Sequence, residues 1–463
     1  MFFQHVYDKT LAQASYIIGC QVKGEAIVID PKRDVDTYLA IAAQNNLTIT
    51  KVTETHIHAD FLSGSRELVA LTGAELYLSD EGGADWQYEF AHKGLNHGDK
   101  ITLGNLTLKV LHTPGHTPES ISFLLTDHRA TSEPVMLFTG DFLFVGDVGR
   151  PDLLEKAAGL KGTQKIGASQ LFESIKNFKA LADHVQVWPG HGAGSACGKA
   201  LGAVASSTVG YEKIRNWALQ YGTNETEFTK ELLVGQPEAP SYFAMMKKLN
   251  KEDRGLLTAV PKARILNKQE FEEVYQQGML VIDTRNKVDF AKGYLPNSLN
   301  IQGNNSFANW MGWIVRYDEP FVLIAEQADL EDLTRKLMRI GLDNIYGFIS
   351  DIKGYGIALA QADGIDMDEF EEALAKEGIQ ILDVRNEKEF SAGHIQGAIH
   401  GFVGKLNAEL SKLDKTKEIV LHCQAGDRST IAYSVLKKNG FGKVKNYAGG
   451  MREWIANKKP LVF

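Results

Sequence analysis

The chain has 463 residues, 44% of them hydrophobic and 23% charged, with a formal net charge of −8. This is an ordinary globular balance, with material for about two to four domains. The acidic sign argues against general binding to nucleic acid or to an anionic membrane surface. In chain order, YIIGCQV, EAIVIDP, LTITKVTETH, ELYLS, LTLKVLHTPGH, VMLFTGD and VQVWPGH read as strands, each running into a loop that holds Gly, Pro, Asp or His. A polar, helical stretch follows from about Gly210 to Arg254, with QPEAPSYF as an irregular linker. The last two hundred or so residues hold a diverged repeat. VIDTRNKVDFAKGYLPNSLNI begins at Val281 and ILDVRNEKEFSAGHIQGAIHG at Ile381, so that Asp283, Arg285, Phe290 and Gly293 recur as Asp383, Arg385, Phe390 and Gly393. A second apolar strand follows in each copy, FVLIA ending at Ala325 and IVLHC ending at Cys423. This alternation of strand and helix implies a small parallel α/β sheet per copy.

No apolar run approaches the length of a membrane span, and the start MFFQHVYDKT turns polar too early for a signal peptide. Cys20, Cys197 and Cys423 are odd in number and widely spaced, with no CxxC. A soluble protein of the reducing cytoplasm is expected.

Six groups collect at strand ends in the N-terminal half. His56, His58 and Asp60 come from THIHADF, His116 from TPGHTPES, Asp141 from TGDFLF and His191 from WPGHGAG. Imidazoles and carboxylates at successive strand-to-loop junctions make a metal-ligand set. The set resembles the metallo-β-lactamase superfamily over residues 1–245, and that resemblance implies an αββα fold. Hydrolases of the superfamily often carry HxHxDH and two metals. Here Phe61 stands where the last His would be, which counts against dinuclear hydrolysis. What the resemblance then implies is a mononuclear set of His56, His116 and Asp141. Two histidines and one carboxylate suit Fe(II), one per metal domain, with positions open to O2 and substrate; zinc is the alternative. This is the ligand set of the persulfide dioxygenases, and FVGDVGRPDL fits the branch they share with glyoxalase II. His58, Asp60 and His191 would orient ligands or serve an additional metal site. Arg150 either touches substrate or pairs with Asp152, the pairing being favoured. Glu119, in TPES where TPGS or TPGC is commoner, has no assigned role beyond solvation or capping. Cys197, in GAGSACGKA, either takes up sulfur or is merely half-buried. Cys20, on an apolar strand, belongs to the core.

In the C-terminal copy the strand IVLH delivers Cys423 into the loop CQAGDRS, and a helix starts near Ser429. Loop N–H groups, the helix N-terminus and the Arg428 cation all favour a thiolate and would stabilise a persulfide sulfur. The DVR strand end, GHIQGAIH, this loop and YAGGMREW together resemble the rhodanese family. The resemblance maps its catalytic cysteine to Cys423 and its loop arginine to Arg428. Asp383 with Arg385 is read as a strand-end ion pair, and Gly449, Gly450 and Trp454 as packing. The middle copy has Ala325 at the nucleophile position, followed by EQADLEDL, and resembles an inactive rhodanese-like domain.

The expected architecture is α/β: an αββα metallo-β-lactamase fold over 1–245, then two rhodanese-like α/β domains, inactive over 255–360 and active over 365–463. This order resembles the bacterial persulfide dioxygenase–sulfurtransferase fusions of sulfide detoxification. The resemblance implies oxidation of a low-molecular-weight persulfide, carried on glutathione, coenzyme A, bacillithiol or cysteine, by O2 to sulfite. Sulfur transfer through Cys423, of the thiosulfate:thiol or thiosulfate:cyanide type, would then give thiosulfate. Relatives assemble into homo-oligomers, and the same is expected here. Two rivals stay open: a zinc thioesterase like glyoxalase II fused to a sulfurtransferase, and a non-catalytic sulfur carrier or sensor.

Overall fold

The computed structural model describes residues 1–153, 155, 162–350 and 352–463. They form two compact units, Met1–Pro261 with Met338–Gly341, and Lys262–Leu337 with Leu342–Phe463.

The first unit follows from strands whose two faces are both apolar, a pattern that only a sheet covered on both sides can satisfy. In Gln13–Cys20, Ile17 points to one core, while Ala14, Tyr16, Ile18 and Cys20 point to another. In Glu25–Ile29, Ala26 and Val28 alternate with Ile27 and Ile29 in the same way. The second sheet repeats the division. Ile121, Phe123 and Leu125 share a core with Tyr16 and Ile27, whereas Leu124 and Leu137 pack with Leu171, Phe172 and Ile175 of the helix Thr163–Lys179. The result is four layers, helix, sheet, sheet and helix, with one core between the sheets and one outside each. The first sheet runs Phe2–Asp8, Gln13–Cys20, Glu25–Ile29, Thr48–Thr53, Glu75–Ser79 and Lys93–Leu95. The second runs Ser207–Thr208, Gln186–Pro189, Met136–Gly140, Ile121–Asp127, Leu106–His112 and Lys100–Leu103. Five of these strands, Phe2–Asp8, Lys93–Leu95, Lys100–Leu103, Ile121–Asp127 and Ser207–Thr208, were not anticipated from the sequence.

In the second unit each copy of the repeat builds its own parallel sheet. The first orders Leu299–Asn300, Leu280–Asp283, Phe321–Ile324 and Ile345–Ile349. The second orders Ile399–His400, Ile379–Asp383, Glu418–His422 and Val444–Tyr447 identically, then adds Gly364–Ile365. The recurring aspartate and arginine do the same work twice. Arg285 pairs with Asp283 and donates to the Gly293 carbonyl at 2.8 Å. Arg385 pairs with Asp383 at 2.7 Å and donates to the Gly393 carbonyl at 2.8 Å. Each guanidinium thus staples a strand end to the turn after the following short helix. Among the described residues no helix is long and apolar enough to cross a membrane.

Candidate functional site

The strand Thr48–Thr53 and the strand Met136–Gly140 end at the same place, and the loops that leave them carry His56 and Asp141. Gly140 makes the approach feasible. Its φ is +51°, and a Cβ there would lie 2.4 Å from the Thr55 hydroxyl, so only glycine fits both the conformation and the space. One ligand atom each from His56, His116 and Asp141 lies within 4.8 Å of the others, all three residues buried. Asp141 Oδ2 stands 3.5 Å from His116 Nε2 and 3.9 Å from His56 Nε2. His191 Nε2 is 3.4 Å from Asp141 Oδ1 and 3.3 Å from Asp60 Oδ2.

The far side of each ring is occupied. His56 Nδ1 meets Thr55 Oγ1, His116 Nδ1 the Arg150 carbonyl and His191 Nδ1 the Ala12 carbonyl, each at 3.0 Å. A carbonyl only accepts, so those Nδ1 atoms carry the proton and Nε2 is left with its lone pair. Burial, and then the neighbouring histidines, hold His56 well below the ordinary imidazole value. Burial lowers His116 also, against the pull of Asp141. These are neutral rings. His56 Nε2, His191 Nε2 and both carboxylate oxygens of Asp60 and of Asp141 are buried with no hydrogen-bond partner. Buried polar atoms are almost always paired, and acceptors converging without a donor are what a bound cation would satisfy. The donor set therefore fits a metal.

The residues around this centre take varied parts. His58 turns its Nε2 away, to Asp30 at 3.0 Å. Burial opposes charge on His58, but Asp30, with Glu54 and Asp60, outweighs it and raises the ring to about 9. Asp60, His191 and Cys197 form a second buried trio within the same 4.8 Å limit. The sequence argument from Phe61 did not foresee a thiol beside Asp60 and His191. Cys197 is not half-buried; it is buried completely, and desolvation followed by Asp141 and Asp60 pushes its thiol well above the ordinary value. Arg150 is closed to substrate. Its guanidinium is fully buried, donating to Asp152 at 2.6 and 2.7 Å and to the Pro237 carbonyl at 2.7 Å. Glu119 is neither solvated nor a cap. It is buried, and it accepts the Ile57 N–H at 2.8 Å, midway between His56 and His58. Burial raises its carboxyl to about 7. Sequence reasoning missed Asp30, at the end of EAIVIDP, and Asn250, whose amide donates to the His58 and Phe61 carbonyls at 2.8 Å. Only the polar Asp at a strand end gave a signal for the first; the second had none.

In the second unit, Cys423 follows the strand Glu418–His422 and the helix Asp427–Lys438 begins four residues on. Gly426 N–H donates to Cys423 Sγ at 3.1 Å, and the thiol lies 3.6 Å from Ser429 Oγ. The loop carbonyls face outward: Cys423 accepts from Met451 N–H and Gln424 from Arg452 N–H, both at 2.9 Å. Gly450 permits this, because a Cβ at its φ of +57° would sit 2.3 Å from the Cys423 carbonyl oxygen. The Arg428 cation is ion-paired. Both its terminal nitrogens donate to Glu389, one at 2.7 Å. Ala325, the counterpart of Cys423, is buried at the end of its strand.

The chain matches the metallo-beta-lactamase superfamily over residues 9–191 and a rhodanese-like domain over residues 366–457. It is 30% identical over 200 residues to the persulfide dioxygenase ETHE1, mitochondrial, of Bos taurus, covering 41% of this chain and 68% of that protein. It is 31% identical over 176 residues to the hydroxyacylglutathione hydrolase of Rhodospirillum rubrum, covering 38% of this chain and 60% of that protein. A crystal structure of a metallo-beta-lactamase from Staphylococcus aureus subsp. aureus COL is similar with a TM-score of 0.68 and 44% identity, covering 75% of this chain and 98% of that one.

Proposed function

We propose, on the premise that the chain belongs to the metallo-beta-lactamase superfamily and carries a rhodanese-like domain, that it oxidises low-molecular-weight persulfides to sulfite and converts that sulfite to thiosulfate. The observation that carries the reading is the buried pair of neutral imidazoles with one carboxylate, His56, His116 and Asp141, whose ligand atoms converge, those of His56 and Asp141 with no hydrogen-bond partner. The likeness to a persulfide dioxygenase and the Cys423 loop support it. Bound Fe(II) would supply one-electron chemistry with O2, which two histidines and a carboxylate leave room for. The chain's own part is to keep His56 and His116 neutral and aimed, and to keep water from the centre with buried Phe61 and Phe144. The balance is one persulfide RSSH, one O2 and one water giving RSH, sulfite and two protons. At Cys423 the thiolate takes the outer sulfur of a second RSSH and releases RS⁻. Sulfite then attacks that outer sulfur, the S–S bond breaks, and thiosulfate leaves with the Cys423 thiolate regenerated.

A second reading is favoured by the trio Asp60, His191 and Cys197. With a metal there too, the centre would hold two ions and suit a zinc thioester hydrolase, as the similarity to a hydroxyacylglutathione hydrolase also allows. Metal analysis of anaerobically purified protein, with O2 uptake on glutathione, coenzyme A and bacillithiol persulfides, separates the two. About one iron per chain and O2 uptake are expected. Two zinc ions, thioester cleavage and no O2 uptake would reverse the conclusion. No turnover with any persulfide despite bound iron would favour a sulfur carrier. Cys423→Ser should leave O2 uptake intact and shift the product from thiosulfate to sulfite; an unchanged thiosulfate yield removes Cys423 from the scheme.

A further inference from the structure

The copy with no nucleophile reaches into the loop of the copy that has one. Lys287 opens the helix Lys287–Lys292 of the first repeat, and its ammonium donates to the Ala425 carbonyl, beside Cys423 in the second. It also pairs with Asp427 at 3.0 Å. Gln302 clamps the arrangement: its carbonyl accepts the Lys287 N–H and its amide donates to Asp427, both at 3.0 Å. The strand behind it is fixed to the same helix, since Asn300 N–H donates to Ser434 Oγ at 3.1 Å.

The position of Ala425 gives these contacts their meaning. Three successive carbonyls of the loop point outward. The C-terminal repeat's own Met451 and Arg452 hold the first two, and Lys287 holds the third. That third carbonyl belongs to the peptide unit whose N–H, on Gly426, donates to Cys423 Sγ at 3.1 Å. In a trans peptide the C=O and N–H are antiparallel. A cation on the oxygen end therefore both aims the N–H at the sulfur and deepens its positive charge. Gly426 is matched to this geometry: its φ is +93°, and a Cβ would lie 3.1 Å from Lys287 Nζ. The position equivalent to Lys287 in the active copy is Glu387, so that copy carries no such cation of its own there.

We propose that Lys287 is a positioning residue for the sulfur chemistry of Cys423, polarising the Ala425–Gly426 peptide toward the anionic sulfur. The middle repeat is then a working part of the sulfurtransferase site. This rests on Cys423 being the nucleophile, and the test keeps the two claims apart. The full-length protein is alkylated with iodoacetamide across a pH series, and modification of the Cys423 peptide is followed by mass spectrometry. Lys287→Met should move the inflection of the rate profile upward by about one pH unit, the scale on which a nearby opposite charge acts. Lys287→Arg should restore it, since it returns the cation with a donor. Thermal unfolding of both variants is measured alongside, because a merely structural lysine would lower the midpoint without moving the inflection. An unmoved inflection in folded Lys287→Met, or failure of Lys287→Arg to restore a moved one, overturns the proposal while leaving Cys423 in place. If wild-type Cys423 shows no ionisation-dependent alkylation at all, the nucleophile reading fails and the proposal with it.

Discussion

Thr55 decides which nitrogen of His56 is bare. Its hydroxyl has one proton, and it donates to Asp30 Oδ2 at 2.9 Å. It must therefore accept from His56 Nδ1 at 3.0 Å, which fixes the proton there and leaves Nε2 facing Asp141. Thr55→Val keeps the shape and deletes the acceptor, so metal affinity should fall by roughly 10- to 100-fold, with Thr55→Ser near wild type. Competition against a chelator measures it, and an unchanged affinity would mean that Thr55 does not orient the ring. The candidate ligand residues were legible, because a histidine or aspartate at a strand-to-loop junction is hard to explain by packing. Their supporters were not. Asp30 and Glu389 act on residues 25 to 39 positions away, and a carboxylate met alone in a sequence does not declare its partner. That is why the partner of Arg428 went unnamed.

At the scale of elements, the sequence pattern found seven strands that run into loops bearing Gly, Pro, Asp or His and passed over five others of the same two sheets, the longest being Phe2–Asp8 and Ile121–Asp127. FFQHVYD has no clean alternation and forms the edge of its sheet. ISFLLTD follows directly on TPGHTPES, with no turn signal between them to mark its start. The repeat was plain, because two strand-end ion pairs one hundred residues apart leave a recurring spacing. The two pairs differ in depth. Arg385 is buried with Asp383, whereas the Arg285 side chain is 22% exposed. Removing one partner of a buried pair costs about 3–5 kcal/mol, and a wetter pair loses less. Arg385→Ala should therefore destabilise the second unit by about that amount and Arg285→Ala by clearly less, as denaturant unfolding will show. Equal losses would mean that burial does not set the value of the staple.

For the whole molecule, the first unit is not one stretch of chain. Met338–Gly341 belongs to it, some 75 residues after Pro261. Arg339 donates to Asp34 at 2.6 and 2.9 Å and to Asp8 at 2.9 Å, and its carbonyl accepts the Leu62 N–H at 2.7 Å, close behind Asp60. No local pattern marks such a distant segment, so boundaries drawn from the sequence could not contain it. Burial alone would raise the Asp34 carboxyl, but Arg339 and Lys32 hold it below its ordinary value. The unfolded value is about 3.9. The pair's contribution is thus complete above that value and fades as pH falls through the lower, folded one. Arg339→Met should cost about 3–5 kcal/mol at neutral pH by taking a shared guanidinium from two buried carboxylates, with the difference from wild type shrinking in acid. Calorimetry across a pH series tests this, and a pH-independent difference would count against the ion pair as its source. The same feature sets a schedule during synthesis. A ribosome adds roughly 5–20 residues per second, so the first unit waits on the order of 4–15 s after Pro261 for the four residues that close it. Through that interval Asp8 and Asp34 have no Arg339 and Leu62 has no carbonyl to hold its N–H, so the loop bearing Asp60 is without one of its anchors.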